Sequence, residues 1–312
     1  MLPVALPVDV LPRQPLAGLT SWKVGGTTEY LAQPRSVAQL ASVVQWAVAM
    51  GLTIHPIGAG SNLLISDEGV QGLCLCLRHL QGVQMESTTG VVEAYAGEPL
   101  PTLARKTARA GLHGLEWLAG IPGTIGGAVA MNAGCQGSCL AERLVDAELL
   151  DPATGRRWRM REQDMAFGYR HSLLQDMAAA QRPWIVISVR LRTSPGHAPQ
   201  RLLETIKANL SRRNRTQPCN FPSGGSVFRN PLPMTAGQLI DGLGLKGRRW
   251  GNAEISTVHA NFIVNRGGAK ARHIQALIHL VRDRVMGEKG IVLQPEIKHL
   301  GQFDQSLPSP VG

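Results

Sequence analysis

The sequence predicts an α+β protein of two domains, on three observations. The chain has 312 residues, which is long for a single core and suits two domains of ordinary size. Strand-like and helix-like patterns both occur in each part of the chain. The clearest linker signal, Thr-Ser-Pro-Gly at residues 193–196, separates the two parts. We therefore expect an N-terminal α+β domain over residues 1–195 and a smaller α+β domain over residues 196–312.

The elements of the N-terminal part follow from apolar spacing and from caps. Ser36 is a suitable N-cap for a helix whose apolar positions run from Val37 to Ala47, and Gly51 ends that helix. A second helix, over residues 99–110, is stopped by Gly111. Runs rich in aliphatic residues predict strands at 53–57, 73–77, 91–95, 144–150 and 184–191.

The C-terminal part carries a similar mixture. A basic helix is predicted from about Gln200 to Arg213, a short helix over residues 236–242 and a long helix over residues 270–286. Two strands are predicted, at residues 261–265 and, as the final element, at residues 291–298.

Composition excludes wholesale disorder, because 44% of the residues are apolar and only 17% are charged. The net charge of +10 suits nucleic acid, an acidic surface or an anionic small molecule. The N-terminus does not resemble a signal peptide. The longest uncharged stretch, residues 117–141, holds six glycines and a proline, so we interpret it as buried loop around a ligand and not as a membrane span.

The five cysteines do not form a disulfide framework, and an odd number of thiols is typical of a reducing cytoplasm. Cys135 and Cys139 lack a second pair or a histidine at metal-ligand spacing, so no metal site is predicted.

The first candidate ligand loop is the run Gly-Ala-Gly-Ser-Asn-Leu-Leu at residues 58–64, which directly follows a strand. Its glycines allow close approach of the backbone, and successive N–H groups can bind an anion. It is neither a Rossmann fingerprint nor a P-loop, because the required third glycine and the Gly-Lys-Ser/Thr sequence are missing. A plain strand-to-strand turn is the alternative.

The second candidate loop is richer in glycine. It reads Gly-Ile-Pro-Gly-Thr-Ile-Gly-Gly-Ala over residues 120–128, followed by Asn132, Ala133 and Gly134. A short helix could start at Ala128 with its N-terminal amides directed at an anion. A structural glycine turn is again the alternative. Two such loops without a Rossmann fingerprint favour a dinucleotide held by loops, and FAD is the natural candidate.

These loops resemble the FAD domain of vanillyl-alcohol-oxidase (PCMH) type, and with four further motifs the chain resembles the UDP-N-acetylenolpyruvoylglucosamine reductase family. The four motifs, in family order, are Lys-Val-Gly-Gly at 23–26, Tyr-Arg-His-Ser at 169–172, Gly-Ser-Val-Phe-Arg-Asn-Pro at 225–231 and Gln-Pro-Glu-Ile-Lys at 294–298. The resemblance implies a PCMH-type FAD domain of two α+β subdomains, divided near residue 80. A smaller α+β substrate-binding domain follows, and its final strand, 291–299, returns to the active site.

The implied reaction reduces UDP-N-acetylglucosamine enolpyruvate to UDP-N-acetylmuramate for peptidoglycan, with FAD as cofactor and NADPH as hydride donor. In this resemblance Ser226 is the proton donor, Arg170 stabilises the developing enolate and Glu296 assists at the enolic intermediate. The implied substrate-binding residues are Tyr169, Asn230, Asn261 and Lys298. The implied cofactor-binding residues are Gly58, Ala59, Gly60, Ser61, Asn62, Leu63, Ile121, Pro122, Gly123, Thr124, Gly126, Gly127 and Asn132. We expect a cytoplasmic monomer that acts on small molecules.

The sequence departs from the family pattern in two places. Tyrosine occurs only at positions 30, 95 and 169, so the chain resembles the family members that lack a tyrosine-bearing lid loop. A lysine that often precedes the Gln-Pro pair is absent, and Arg215 is the candidate to supply its charge.

Two other functions compete with this interpretation. A nucleic-acid-binding protein would account for the basic runs at residues 156–161 and 212–215, but only 4% of residues are aromatic and no known module is visible. A flavin oxidase with the same type of FAD domain is the nearer alternative. It leaves the motifs of Ser226 and Glu296 unexplained, and the first loop has no histidine to tether the flavin.

Overall fold

The computed structural model describes Pro7 and residues 9–304, and its helices and strands are mixed along the chain. The helices are α1 (Val37–Ala49), α2 (Leu100–Arg109), α3 (Ile125–Met131), α4 (Leu173–Ala179), α5 (Pro199–Thr216), α6 (Ala236–Gly242) and α7 (Ala271–Lys289). The strands are β1 (Val10–Pro15), β2 (Thr27–Ala32), β3 (Ile54–Ile57), β4 (Leu63–Ile65), β5 (Val70–Cys76), β6 (Val83–Glu86), β7 (Val91–Tyr95), β8 (Gly134–Cys135), β9 (Ser138–Cys139), β10 (Leu144–Leu150), β11 (Arg157–Arg161), β12 (Ile185–Arg192), β13 (Arg249–Trp250), β14 (Ala253–Ile255), β15 (Ile263–Asn265) and β16 (Lys298–Leu300).

Local signals in the sequence fix most of these elements. Ser36 caps α1, its hydroxyl accepting a hydrogen bond of 3.2 Å from the main-chain N–H of Gln39. Thr235 and Gln238 form a capping box at the start of α6. Helix α7 ends at Gly290, which adopts the left-handed conformation with φ of +66°. The predicted strands at 91–95 and 144–150 and the predicted helix at 236–242 are confirmed at both ends.

Three expectations need correction. The final strand is not residues 291–298 but β16, because Gln294 and Glu296 bond to a neighbouring loop and the ladder with β4 starts only at Lys298. The helix expected from Ala128 starts earlier, at Ile125. The predicted linker is not free, since the main chain of Ser194 exchanges two hydrogen bonds with His113. Proline and glycine at 195–196 mark a bend, not a flexible tether.

The residues group into two compact units, neither of which is one continuous stretch. The first contains the described residues up to Pro12 together with Tyr30–Ala59 and Gly72–Arg212; the second contains Arg13–Glu29, Gly60–Gln71 and the described residues from Arg213 onward. A boundary at residue 195 was predicted from the linker signal, whereas this grouping divides the chain inside α5. The predicted domain limits themselves stay a prediction.

The first unit is built on a five-stranded antiparallel sheet in the order β11-β10-β12-β7-β6. Strand β3 pairs in parallel with β5 in a separate four-stranded sheet of order β1-β2-β5-β3. Helix α2 buries Leu103 and Ala104 in the core of this unit, while its basic side chains stay outside.

The second unit has a three-stranded sheet, β13-β14-β15, and a parallel pair of β4 with β16. Its core contains Trp22, Phe228, Ile255 and the buried face of α7. Among residues 7 and 9–304 no helix has the length and apolarity needed to cross a membrane.

Candidate active site

In the first unit the two candidate loops come into contact at Gly58 and Thr124. A β-carbon built on Gly58 would lie only 2.5 Å from the Oγ1 atom of Thr124, so no other residue fits there without a shift. The first loop is the connection from β3 to β4, and no helix follows it. The expectation that this loop is not the phosphate turn of a Rossmann fold is therefore confirmed.

The second loop is fixed by hydrogen bonds from its backbone to the segment that follows β7. The N–H of Ile125 donates to the main-chain carbonyl of Glu98 at 3.0 Å, and the N–H of Gly126 donates to the carbonyl of Ala96 at 2.9 Å. A β-carbon on Gly126 would meet the β-carbon of Ala96 at 2.8 Å, which explains the glycine there. The position therefore requires glycine for packing against the residue that follows β7.

The chemistry of this pair of loops fits the diphosphate of FAD. The hydroxyl of Thr124 is buried and has no hydrogen-bond partner in the described part of the chain. Buried polar groups are normally satisfied, so an orphaned hydroxyl between two glycine loops indicates a ligand with acceptor oxygens. Of the predicted cofactor-binding residues, Gly58, Thr124 and Gly126 are thus placed together, with Ile121, Pro122, Gly123 and Gly127 in the same loop.

Two groups beside the first loop were missed by the sequence prediction. The guanidinium of Arg78 donates to the carbonyl of Ala59 at 3.4 Å, and the thiol of Cys76 donates to the carbonyl of Gly58 at 3.9 Å. Burial raises the pKa of Cys76, so the thiol keeps its proton. Arg78 lies two residues after the end of β5, the strand that pairs with β3. A basic residue at this position is the sequence signal that could have indicated its role.

Asn132 joins the second loop to the Tyr-Arg-His-Ser motif. It caps α3 in the left-handed conformation, and its amide nitrogen donates 2.9 Å to the carbonyl of Gly168 while its oxygen accepts from Ala141. Both the nitrogen and the oxygen of the Asn132 carboxamide therefore form hydrogen bonds within the protein. Its predicted contact with FAD stays a prediction.

Arg170 is held beside the short hairpin of β8 and β9. Arg170 adopts a left-handed φ of +55°, and its guanidinium donates a hydrogen bond of 2.7 Å to the carbonyl of Gly134. The guanidinium also lies 5.2 Å from the ring of Tyr169, which is half exposed. A β-carbon on Gly134 would come within 2.9 Å of an Arg170 nitrogen, so the glycine allows this placement.

The hairpin also explains why Cys135 and Cys139 are not a pair. Gly134 lies opposite Cys139, and Cys135 lies opposite Ser138. Side chains alternate between the two faces of a strand, so the two thiols point to opposite faces of the hairpin. None of the five cysteines forms a disulfide.

In the second unit, backbone hydrogen bonds connect the serine motif with the C-terminal motif. The N–H of Glu296 donates 2.8 Å to the carbonyl of Val227, and the N–H of Arg229 donates 2.9 Å to Gln294. Ser226 itself is half-buried, and Gly225 before it has φ of +76° with open space where a β-carbon would stand. The glycine is thus required by conformation, in addition to any room it leaves for a ligand.

The later half of the first loop belongs to the same unit and contacts the same motif. The amide of Asn62 donates 3.2 Å to the carbonyl of Glu296, and its own carbonyl accepts from the N–H of Lys298. A β-carbon on Gly60 would lie 2.0 Å from the carbonyl oxygen of Leu19. Ser61 and Leu63 complete this run, so part of the predicted cofactor loop lies beside the predicted catalytic glutamate.

Two predicted substrate residues have roles in the fold. The carboxamide of Asn261 bonds both the N–H and the carbonyl of Phe228, at 2.9 and 2.8 Å, and is buried. Burial and the nearby charge of Lys246 lower the pKa of His259, which accepts the N–H of Asn261 as a neutral ring. The oxygen of Asn230 caps Ala236 at the start of α6, which leaves its amide nitrogen as the donor it offers. Substrate contacts of both asparagines stay predictions.

A cavity of about 380 Å³ in the second unit was not foreseen. Arg215, Gln217, Glu254 and Arg266 are among its polar lining residues, and Phe221 and Val258 among its apolar ones. The side chain of Glu254 is paired with Arg249, and Arg266 lies over the ring of Phe221 at 4.2 Å. Its lining therefore mixes charged, polar and apolar side chains.

The structure therefore assembles two groups of candidate residues. Arg170 and the second glycine loop lie in the first unit, whereas Ser226, Glu296 and Lys298 lie in the second. A single centre formed by Arg170, Ser226 and Glu296 stays a prediction.

Comparison with known proteins separates the alternatives left open by the sequence. Residues 28–161 match the family described as FAD binding domain, and residues 217–300 match the C-terminal domain of UDP-N-acetylenolpyruvoylglucosamine reductase. The second match covers the motifs of Ser226 and Glu296, which an oxidase or a nucleic-acid-binding protein leaves unexplained.

Similar proteins match along almost the whole chain. A UDP-N-acetylenolpyruvoylglucosamine reductase of Synechococcus sp. strain RCC307 is 52% identical over 96% of this chain and 98% of its own. The reductase of that name from Synechococcus elongatus is 48% identical over 94% and 95%. The crystal structure of the reductase from Thermus caldophilus has a TM-score of 0.75 at 34% identity and covers 94% of this chain and 98% of its own. The chain belongs to the UDP-N-acetylenolpyruvoylglucosamine reductase family, whose FAD-binding domain it carries.

Proposed function

We propose that the protein reduces UDP-N-acetylglucosamine enolpyruvate to UDP-N-acetylmuramate with NADPH. FAD, when bound, would supply the redox chemistry for moving a hydride from NADPH to the terminal vinyl carbon of the substrate. The neighbouring carbon then carries negative charge shared with the carboxylate, and it must receive a proton.

The observation that carries this proposal is the backbone pairing of the Ser226 loop with the Glu296 segment. In the proposed reaction Ser226 donates the proton to the carbon next to the carboxylate, and the serine oxygen regains a proton from solvent. A serine hydroxyl is a weak acid, so it needs neighbouring charge and little water. The main-chain bond of Glu296 to Val227, the neighbour of Ser226, supports the proposal that Glu296 supplies part of that network.

Arg170 is proposed to hold the carboxylate of the substrate. A guanidinium keeps its charge near neutrality and has planar donors that match a carboxylate. Its bond to Gly134 and its contact with Tyr169 support a fixed orientation. Lys298 and Asn230 are proposed to bind the sugar nucleotide, with Arg215 adding positive charge at the cavity of the second unit.

The FAD is proposed to lie on the two glycine loops, with Thr124 and Arg78 near its diphosphate. The orphaned hydroxyl of Thr124 and the close contacts at Gly58 and Gly126 support this placement. We further propose that the enzyme works as a cytoplasmic monomer. Five free thiols agree with a reducing compartment.

The direct test is product analysis. Purified protein is incubated with NADPH and the enolpyruvyl nucleotide, and the products are identified by mass spectrometry. We expect one NADPH to be oxidised for each nucleotide that gains two hydrogen atoms. Oxygen consumption with simple alcohols, without any change in the nucleotide, would instead favour an oxidase.

A further inference from the structure

Trp22 lies directly beneath the loop that carries Ser226. A β-carbon built on Gly224 would lie 2.5 to 2.7 Å from three atoms of the six-membered ring of Trp22, namely Cζ3, Cη2 and Cε3. No real contact is that short, so glycine is the residue that this ring permits. Trp22 is itself fully buried.

The tryptophan is anchored at both its side chain and its backbone. Its Nε1 atom donates a hydrogen bond of 2.7 Å to the carbonyl of Ile263, and its own carbonyl accepts 2.9 Å from the amide of Asn265. Both partners belong to β15, a buried strand. Because the ring of Trp22 is hydrogen-bonded and packed in the core, it cannot easily move to make room for a methyl group added at residue 224.

The two ends of the serine loop are fixed on either side of Trp22. Ser223 forms a bridge with Val264, and the N–H of Val227 donates 2.9 Å to the carbonyl of Asn261. The span from Gly224 to Ser226 is therefore a short arch between two fixed points, with the Trp22 ring under its first residue. Gly225 completes the arch in the left-handed conformation.

From this geometry we propose that Trp22 is a positioning residue. Its ring fixes how closely the main chain of residues 224–226 approaches the core, and hence the position of the Ser226 hydroxyl. The inference rests on the proposed role of Ser226 as proton donor. Trp22 touches the arch from its buried side, so its effect is exerted through the backbone. A shift of about 1 Å at a reacting group can cost about 10²-fold in rate.

The test is a double-mutant cycle of Gly224→Ala and Trp22→Phe. Phenylalanine lacks the second ring of tryptophan, so it vacates space under residue 224. Each variant is purified with FAD, and two rates are measured separately: reduction of the flavin by NADPH, and its reoxidation by the enolpyruvyl nucleotide without oxygen. Gly287→Ala is the matched control, because a β-carbon there meets nothing within 4 Å.

We expect Gly224→Ala to slow reoxidation by the nucleotide by about 10²-fold while reduction by NADPH is unchanged. The loss should fall on the maximal rate of reoxidation and not on the nucleotide concentration at half-saturation. Adding Trp22→Phe should restore most of the rate, because the clash has been removed. Gly287→Ala should behave as the unmodified protein.

The inference would be overturned if the losses in reoxidation rate of the two single variants simply added in the double variant. Residues that act through one contact show coupled effects instead. If Gly224→Ala does not fold, the test is whether Trp22→Phe restores folding. The double variant must then fold, and its flavin must be reoxidised as fast as that of Trp22→Phe alone. Failure of either would contradict the inference. Failure of the proposed function is distinguishable: without that reaction the nucleotide would not reoxidise the flavin of the unmodified protein, and without the role of Ser226 the Ser226→Ala variant would reoxidise at an unchanged rate.

Discussion

The main-chain N–H of Glu296 donates a hydrogen bond of 2.8 Å to the carbonyl oxygen of Val227, the residue that follows Ser226. Two motifs from distant parts of the sequence are thereby fixed to each other through the backbone, without any requirement on their side chains.

Ser226→Ala tests the proton donor. We expect reoxidation of the flavin by the enolpyruvyl nucleotide to slow by about 10²–10⁴-fold, because the carbanion-like centre loses its proton source. Reduction by NADPH should change little, and stopped-flow absorbance resolves the two steps. Ser223→Ala, in the same loop, is the control and should leave both steps intact. Equal loss in the two steps would assign Ser226 to flavin binding or to the fold.

Gly58→Ala tests the flavin loops. The added methyl would stand 2.5 Å from the Thr124 hydroxyl, so this hydroxyl must turn away from the first loop or the two loops must move apart. We expect purified protein with a lower ratio of flavin absorbance to protein absorbance and a weaker affinity for added FAD. Gly168→Ala is the control, since its β-carbon would meet His171 at an ordinary 3.7 Å. Full flavin content in Gly58→Ala would contradict the placement.

Gly134→Ala tests the placement of Arg170. The methyl would lie 2.7 Å from the main-chain oxygen of Ser138 and 2.9 Å from a guanidinium nitrogen of Arg170, so the hairpin must shift together with the side chain proposed to hold the substrate carboxylate. We expect about a 10-fold to 10²-fold loss in reoxidation by the nucleotide, with FAD content preserved. Gly168→Ala again serves as the control. An unchanged rate would mean that Arg170 is not fixed by this hairpin.

The five-stranded sheet of the first unit carries an ion network that makes a prediction about acid stability. Burial alone would raise the pKa of Asp146, but hydrogen bonds and charge from Arg190 and Arg159 outweigh burial and lower it. The pKa of Glu93 is lowered by the same balance, with Arg159 and Ser188 as its partners. These carboxylates contribute stability above the ordinary carboxyl pKa of about 4, and the contribution is lost as the pH falls through their lower folded values.

Asp146→Asn should therefore lower the free energy of unfolding at neutral pH by about 1.5–3 kcal/mol. It should also flatten the decline of that free energy as the pH falls below about 4. Denaturant unfolding at several pH values measures both effects. Asp164→Asn, at an exposed position, is the control. A variant that keeps the slope of the unmodified protein would contradict the network's role.

Much of the fold was predictable because local signals and tertiary packing agree. Ser36, the Thr235 capping box and the apolar spacing of α7 each specify an element that the core also requires. The segment at residues 291–298 was mispredicted because its aliphatic residues fit a strand, whereas its hydrogen bonds go to a loop at residues 227–229. Such pairing depends on long-range contacts that no local pattern contains.

The site was predictable as motifs but not as geometry. Glycines at positions 58, 126 and 134 can be read from the sequence, yet what each one touches cannot. Trp22 carries no chemical signature at all, because a buried tryptophan is ordinarily core. Its contact with Gly224 arises only when two segments far apart in the chain fold together.

We propose that the two glycine loops hold a flavin that NADPH reduces and the enolpyruvyl nucleotide reoxidises. The most direct measurement is the visible absorption spectrum of the purified protein under strict exclusion of oxygen. The account predicts a flavin spectrum that NADPH bleaches and that the enolpyruvyl nucleotide then restores. A colourless protein that cannot be loaded with FAD, or a bleached spectrum that the nucleotide leaves unchanged, would contradict it.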